Sequence, residues 1–217
     1  MISKTKEDYL EVVFHLQSEG RTATTKEIAE HLKISLASVS ENIKKLADEK
    51  LLIYSPYKGV RLSSRGREIA VDVVRRHRLS ERFLVDKLGL KWEEAHEEAH
   101  KLEHSISKVV ENKMYEMLGK PKTCPHGNPV PNIDGSIKEE RSYPLSTMKK
   151  DDKVKIVKIT DEEPKLLCYF ATLGLMPRTS LKIEEKAPFD GPIMIKVGST
   201  TYALGKKIAD SIWVKKI

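Results

Sequence analysis

Cysteine is scarce in this chain, with two in 217 residues, Cys124 and Cys168. A disulfide-stapled scaffold is thereby excluded, and a reducing, cytoplasmic setting is the simpler expectation. Aromatics make up 6%, and the two tryptophans, Trp92 and Trp213, are assigned to packing. No apolar run reaches the ~18 residues of a membrane span, and the N-terminus lacks the apolar stretch of a signal peptide, so no membrane partner is expected. Neither sign of charge dominates: 39 Lys/Arg against 32 Asp/Glu leave a formal +7. Such an excess points to a polyanionic partner only where it is concentrated. It is concentrated between residues 55 and 82, where Lys58, Arg61, Arg65, Arg67, Arg75, Arg76, Arg78 and Arg82 face only Glu68, Asp72 and Glu81. The length suits one large domain or two to three small ones.

Residues 4–18 read as a helix with Tyr9, Val12, Val13 and Leu16 on its apolar side, and Asp8, Glu11 and His15 on another. Thr24-Thr25-Lys26-Glu27 is a capping box that predicts a helix carrying Ile28, Ala29 and Leu32 inward. Ser35 then caps a second helix with Val39, Ile43, Leu46 and Ala47 as its buried stripe. Two short helices with a tight turn form a helix-turn-helix. The β-type runs Leu51–Tyr54 and Val60–Leu62 around Ser55-Pro56-Tyr57-Lys58-Gly59 add a wing. In that arrangement Ser35, Ala37, Ser38 and Glu41 occupy the exposed start of the recognition helix. Thr25, Ser40 and Lys44 are phosphate candidates, and Lys58 and Arg61 on the wing add sequence-independent contacts.

Ser63 or Ser64 caps a long helix to about Leu88, and a further helix is expected from roughly Lys91 to Leu118. The stretch from Gly119 to Pro144 holds half of the ten prolines and reads as a linker. Beyond it, strand signatures at residues 153–160, 181–183, 193–197 and 212–214, with one helix at 163–173, make a small β-barrel the economical reading.

Four of the seven histidines lie between His77 and His104 in a metal-ligand pattern. His77 and Glu81 share one helical face, while His96, His100 and His104 line another with Glu103 beside them. A solvated acidic helix would account for any one of these histidines, but not for the cluster. His96-Glu97-Glu98-Ala99-His100 also satisfies the H-E-x-x-H pattern of zinc peptidases, although Glu103 stands where the longer form of that motif has Gly. Glu93-x-x-His96 and Glu97-x-x-His100 fall on one helix, whereas a di-iron carboxylate site draws such motifs from two. Cys124 and His126 form a Cys-x-His pair, and two ligands do not make a structural zinc site.

Taken in order, Glu7-Asp8-Tyr9-Leu10, the winged helix, His77-Arg78-Leu79-Ser80-Glu81-Arg82-Phe83-Leu84, His96 to His104 and Cys124-Pro125-His126-Gly127-Asn128-Pro129-Val130-Pro131 carry a resemblance. The chain resembles the diphtheria-toxin-repressor and iron-dependent-regulator family of metal-dependent transcriptional repressors. Its Leu173-Gly174-Leu175-Met176-Pro177-Arg178-Thr179, Ala187–Pro192 and Ala203-Leu204-Gly205 segments are similar to the SH3-like domain of ferrous-transport accessory proteins. The resemblance implies a multidomain, mainly α protein. It would comprise a winged helix-turn-helix over residues 1–73, a helical dimerisation and metal-binding domain over 74–120, a proline-rich linker over 121–144 and an SH3-like β-barrel over 145–217. It further implies a homodimeric, cytoplasmic, non-enzymatic repressor of metal-homeostasis genes, bound to a palindromic double-stranded operator.

By position, the family's primary metal site falls on Asp8, His100, Glu103 and His104, and its ancillary site on His77, Glu81 and His96. Glu11 matches a further carboxylate of manganese-responsive members, and Glu163 is the nearest acidic candidate from the SH3-like domain. Iron-responsive relatives have Met and Cys at the Asp8 and His100 positions, and manganese-responsive ones Asp and Glu, so Asp8 with His100 is a hybrid. Arg178 stands where relatives have Gly. Carboxylate and imidazole ligands suit Fe(II) or Mn(II), with Zn(II) or Co(II) as surrogates. Protons compete for each imidazole, which predicts weaker metal-activated DNA binding as pH falls towards ~6.

Overall fold

A computed structural model describes residues 2–18, 20–55 and 59–217. The chain divides into two compact units: residues 1–77, 103–106 and 131–136 form the first, and residues 78–102, 107–130 and 137–217 the second.

In the first unit, α1 (Lys4–Ser18), α2 (Thr25–Leu32) and α3 (Leu36–Asp48) bury Tyr9, Leu10, Val13, Ile28, Val39, Ile43 and Leu46. The local reasons are those visible in the sequence. Thr24 accepts from the Glu27 amide while the Glu27 carboxylate accepts from the Thr24 amide. Lys33, at φ 55°, ends α2, and the Ser35 hydroxyl accepts from the Ser38 amide to start α3. The wing strands β1 (Leu52–Ser55) and β2 (Gly59–Leu62) pair antiparallel from Leu52↔Leu62 to Ser55↔Gly59. Lys58, expected on the wing, lies outside the described residues. From α4 (Ser64–Asp86), residues up to His77 belong to this unit, and the buried Arg75 guanidinium donates to the Pro131 carbonyl.

The second unit contains the rest of α4, α5 (Trp92–Leu102), α6 (Lys108–Met117) and six antiparallel strands. These are β3 (Tyr143–Pro144), β4 (Lys153–Ile159), β5 (Ser180–Lys186), β6 (Ile193–Val197), β7 (Thr200–Leu204) and β8 (Ile212–Lys216), in the order β3-β8-β4-β5-β6-β7. Helices α7 (Pro164–Leu173) and α8 (Lys206–Ser211) accompany the sheet, which shares one core with Trp92 of α5. Arg178, at φ 76°, occupies the left-handed region that favours glycine at this turn.

Two expectations are corrected and a third is made specific. The sheet is open, not a closed barrel: among the described residues β3 and β7 are unpaired edges, and β3 is two residues long with a proline that cannot donate to a ladder. The helix expected from 91 to 118 is broken at residues 103–107, because Ser107 caps a new helix by accepting from the Val110 amide. His104 therefore does not continue the His96–His100 helical face. The proline-rich stretch, expected as a linker, is packed. The Cys124 amide donates to Asn128 (2.9 Å), Arg82 donates to the Thr123 and Cys124 carbonyls, and Cys124, His126 and Val130 are buried.

Gly127 fixes this segment against β4. A Cβ there would lie 2.1 Å from the Val157 carbonyl oxygen, and φ is +88°. Gly127→Ala is therefore expected to destabilise the protein by more than ~1 kcal/mol, read as a lower urea midpoint. An unchanged midpoint would show that this close approach is dispensable.

Candidate metal centres and nucleic-acid surface

In the first unit, α1 presents Glu7, Asp8 and Glu11, and the break after α5 supplies Glu103 and His104. His104 Nδ1 lies 2.6 Å from Glu7, and its Nε2 lies 2.9 Å from Asp8 Oδ1 and 3.0 Å from Glu103 Oε1. The other Glu103 oxygen is 2.5 Å from His77 Nδ1. Glu103 is completely buried, and Glu11, His77 and Glu103 form a compact donor group. Arg76 donates to Glu7 at 2.9 Å. The helix break allows this arrangement, because leaving the α5 helix frees consecutive residues Glu103 and His104 to reach Asp8 together. His100, expected in the same site, sits in the last turn of α5, three residues before Glu103 on the chain.

Asp8 is followed by Tyr9, whose buried hydroxyl faces Asn42 and Ser38 of α3. Burial raises the Tyr9 pKa, with Asn42 and Ser38 partly opposing it. One helix thus carries both a candidate metal ligand and a buried tyrosine whose hydroxyl is turned towards α3.

In the second unit, the fully buried Glu81 of α4 lies 3.3 Å from His96 Nδ1 and 3.1 Å from His126 Nδ1. Glu162, just before α7, lies 2.7 Å from His96 and 3.7 Å from His126. Cys124 Sγ is 4.0 Å from His126 Nδ1, and His126 Nε2 meets the Trp92 carbonyl at 2.9 Å. Here the expectation from sequence is off by one residue. Glu163 is not part of the cluster, because its carboxylate accepts from the Leu166 amide as the cap of α7, whereas Glu162 faces the histidines. Cys124 and His126, too few as a pair, join Glu81 and Glu162 in a four-donor group. The missing signal lay in the tertiary fold, since donors at 81, 124, 126 and 162 show no sequence periodicity.

The four donor atoms of Glu81, Cys124, His126 and Glu162 lie within 4.8 Å of one another. Ligands at about 2.0–2.3 Å from a common ion stand no more than ~4.6 Å apart, so the donors are close to the spacing an ion requires. One thiol, one imidazole and two carboxylates suit a borderline divalent ion.

Electrostatics give the same fit. Burial alone disfavours a charged His126, but Glu81 and Glu162 outweigh it, helped by hydrogen bonds with Cys124 and Glu81. They hold its pKa well above the usual 6.5. Burial and the Glu81 charge raise the Cys124 pKa, while His126 and His96 lower that of Glu162 against the effects of its own burial and of Glu81. The cluster thus holds a proton on His126 and one on Cys124 that an ion must displace.

The recognition surface is less uniform than expected. Ser35, Ala37, Ser40, Glu41 and Lys44 are exposed, as is Arg61 of the wing, while Thr25 and Ser38 are half-buried. Ser40 donates to the Leu36 carbonyl (2.9 Å) and Glu41 pairs with Lys45 (2.7 Å), so both already have partners within α3. Leu36, absent from the candidates drawn from sequence, is exposed in the first turn of α3. Glu97, the peptidase motif's acid, is exposed and belongs to none of the donor groups among the described residues.

Residues 1–60 match the iron dependent repressor N-terminal DNA binding domain, residues 63–132 the iron dependent repressor metal binding and dimerisation domain, and residues 143–216 the FeoA domain. The chain is 31% identical to the iron-dependent repressor IdeR of Mycobacterium leprae (strain TN), over 98% of this chain and 97% of that protein. It resembles a solved manganese-dependent transcriptional repressor in complex with manganese, at TM-score 0.90 and 34% identity, covering 98% of this chain and all of that one. ScaR with bound Zn2+ is similar at TM-score 0.86 and 33% identity, covering 98% and 99%.

Two outcomes follow from the second cluster. Glu162→Gln is expected to weaken metal affinity at least ~10-fold, whereas Glu163→Gln leaves affinity unchanged and costs about 1 kcal/mol of stability through the α7 cap. Equal affinity losses in both variants would return the ligand role to Glu163. Metal binding to this cluster near neutral pH should also release about two protons, from His126 and Cys124, so affinity rises with pH. Calorimetry in buffers of different ionisation enthalpy reads that number, and no net release would contradict the assignment.

Proposed function

This chain belongs to the iron-dependent repressor family of metal-dependent, DNA-binding transcriptional regulators, and from that premise we propose how its own residues do the work. It is a homodimeric, cytoplasmic repressor of metal-homeostasis genes that grips a palindromic operator when Fe(II) or Mn(II) is bound. The observation that carries this reading is the pair of buried donor clusters, each centred on a carboxylate held between two histidines.

Asp8, Glu103 and His104 act as ligands in the first unit, with His100 assigned on its sequence position and Glu7, Glu11 and His77 as supporting groups. Glu81, Cys124, His126 and Glu162 act as ligands in the second, with His96 hydrogen-bonded to both carboxylates. When bound, the ion supplies positive charge and fixed coordination, nothing more. It joins Asp8 of α1 to the 103–104 segment, and α1 reaches α3 through Tyr9 against Ser38 and Asn42. Metal then favours the DNA-competent arrangement by its differential affinity, commonly ~1–3 kcal/mol of coupling.

On DNA, Ser35, Leu36, Ala37 and Ser38 at the start of α3 face bases. Thr25, Ser40, Lys44 and Arg61 contact phosphates, and Glu41 is engaged with Lys45. Lys58 remains a phosphate candidate on its sequence position. Functionally, residues 1–73 serve DNA binding, 74–120 dimerisation, and 145–217 complete the second metal centre together with the packed 121–144 stretch. Exposed Val109 (72%), Val110 and Met117 on α6 offer the apolar surface that self-association needs. Two-fold symmetry of such a dimer calls for matching half-sites.

Fluorescence anisotropy of a labelled operator fragment with chelator, anaerobic Fe(II), Mn(II) and Zn(II) tests this reading. Specific binding should appear only with metal, and should weaken as pH falls towards ~6. Specific binding that survives the chelator would sink it, and proteolysis abolished by Glu97→Gln would favour the peptidase instead.

A further inference from the structure

The solvent-facing side of the C-terminal sheet carries lysines in directly opposed positions. Lys153 of β4 stands opposite Lys182 of β5, and Lys182 stands opposite Lys196 of β6. Lys155 of β4 stands opposite Lys215 of β8. Strand alternation puts all five on one side, because the intervening Val154, Ile156, Leu181, Ile183, Ile195 and Val214 are buried in the core. Like charges directly opposite on neighbouring strands repel, so these pairs weaken the sheet that carries them. Asp151 balances Lys182 at 2.6 Å, and Glu140 balances Lys215. Among the described residues, Lys153, Lys155 and Lys196 have no ion pair. Two acids of β5 also lie on this side: Glu184, which accepts from the Thr201 hydroxyl at 3.0 Å, and the exposed Glu185, opposite Met194. Residues 145–217 hold fourteen Lys/Arg against nine Asp/Glu, and so contribute five of the seven formal charges of the chain. The excess noted at residues 55–82, eight against three, is thus matched by an equal one here.

We infer that this lysine face is a second, sequence-independent DNA contact, its ammonium groups meeting the phosphates of a duplex. Lysines present point charges with no forked geometry for reading bases, which fits backbone contact alone. Met194 and Trp213 on the same side are half-buried, and the Trp213 ring lies under the Lys158 ammonium at 4.9 Å, so the face lacks the apolar side chains that enter a lipid surface. A polyanion is already this chain's ligand through its DNA-binding domain. The face offers a sheet surface on which lysines outnumber the acids beside them and three lysines have no ion pair, suited to a charged backbone in any sequence.

The test uses the full-length protein with Lys153, Lys155 and Lys196 replaced by Gln together, which leaves the two ion-paired lysines in place. Binding to a random-sequence 30-base-pair duplex is measured by anisotropy across a potassium chloride series, with chelator present. Every lysine that no longer neutralises a phosphate reduces the slope of log K against log[salt] by about 0.9, so the triple variant should have a slope shallower by about 2.7, with the matching Lys→Arg triple restoring it. An unchanged urea midpoint shows that the fold is intact. If the triple variant unfolds, K155Q alone should lower the slope by about 0.9. An unchanged slope overturns the proposal, as does loss of binding only to phosphatidylserine vesicles. Arg61→Ala on the wing reports the helix-turn-helix contact separately, so failure of the lysine face leaves the repressor reading standing.

Discussion

Two carboxylates with no exposure to water, Glu81 and Glu103, set the terms for the rest of the molecule. An isolated buried carboxylate is too costly to keep ionised, so each must be matched by positive charge brought close. Each stands between two histidines: Glu103 between His77 and His104, and Glu81 between His96 and His126. Imidazoles meet that demand in two ways, by taking a proton or by leaving a lone pair for a cation. The raised pKa of His126 describes the first way, and the four-donor spacing around it describes the second. Proton and metal therefore occupy the same electrostatic position.

On the proposed reading, that exchange reaches DNA through geometry, not through a long relay. Asp8 and Tyr9 are neighbours on α1, one turned to His104 and the other to Ser38 and Asn42 on α3. A rigid helix needs no internal rearrangement to transmit a small shift from one to the other. Placing Asp8 one residue before a buried tyrosine gives the recognition helix a stake in how α1 is held.

Much of this was legible in local chemistry. The capping box at Thr24, the Ser35 cap and the wing appear where their residue types require them, since caps and turns are decided within four residues. The histidines and carboxylates that the fold gathers were also visible as candidates, because suitable donor types can be recognised wherever they fall. Failures came from non-local causes. The break at residues 103–107 competes with an otherwise helical pattern, and the prolines of 121–144 read only as a linker, with no sign that carbonyls along it are held by Arg75, Arg78 and Arg82. The choice between Glu162 and Glu163 depended on which one caps α7, and the opposed lysines became visible only with the strand register.

The tie between the Cys124–Asn128 stretch and the sheet has an evolutionary side. The His126 carbonyl accepts the Ile159 amide at 2.9 Å, and Asn128 donates to the Ile159 carbonyl and to Glu162. The second centre is thus assembled by the C-terminal sheet, whereas Asp8, Glu103 and His104 need none of it. A lineage that shed the sheet would forfeit Glu162 and the anchorage of His126 while keeping the Asp8 cluster, and one that kept it could retune Cys124 or Glu162 without disturbing the helix that leads to DNA.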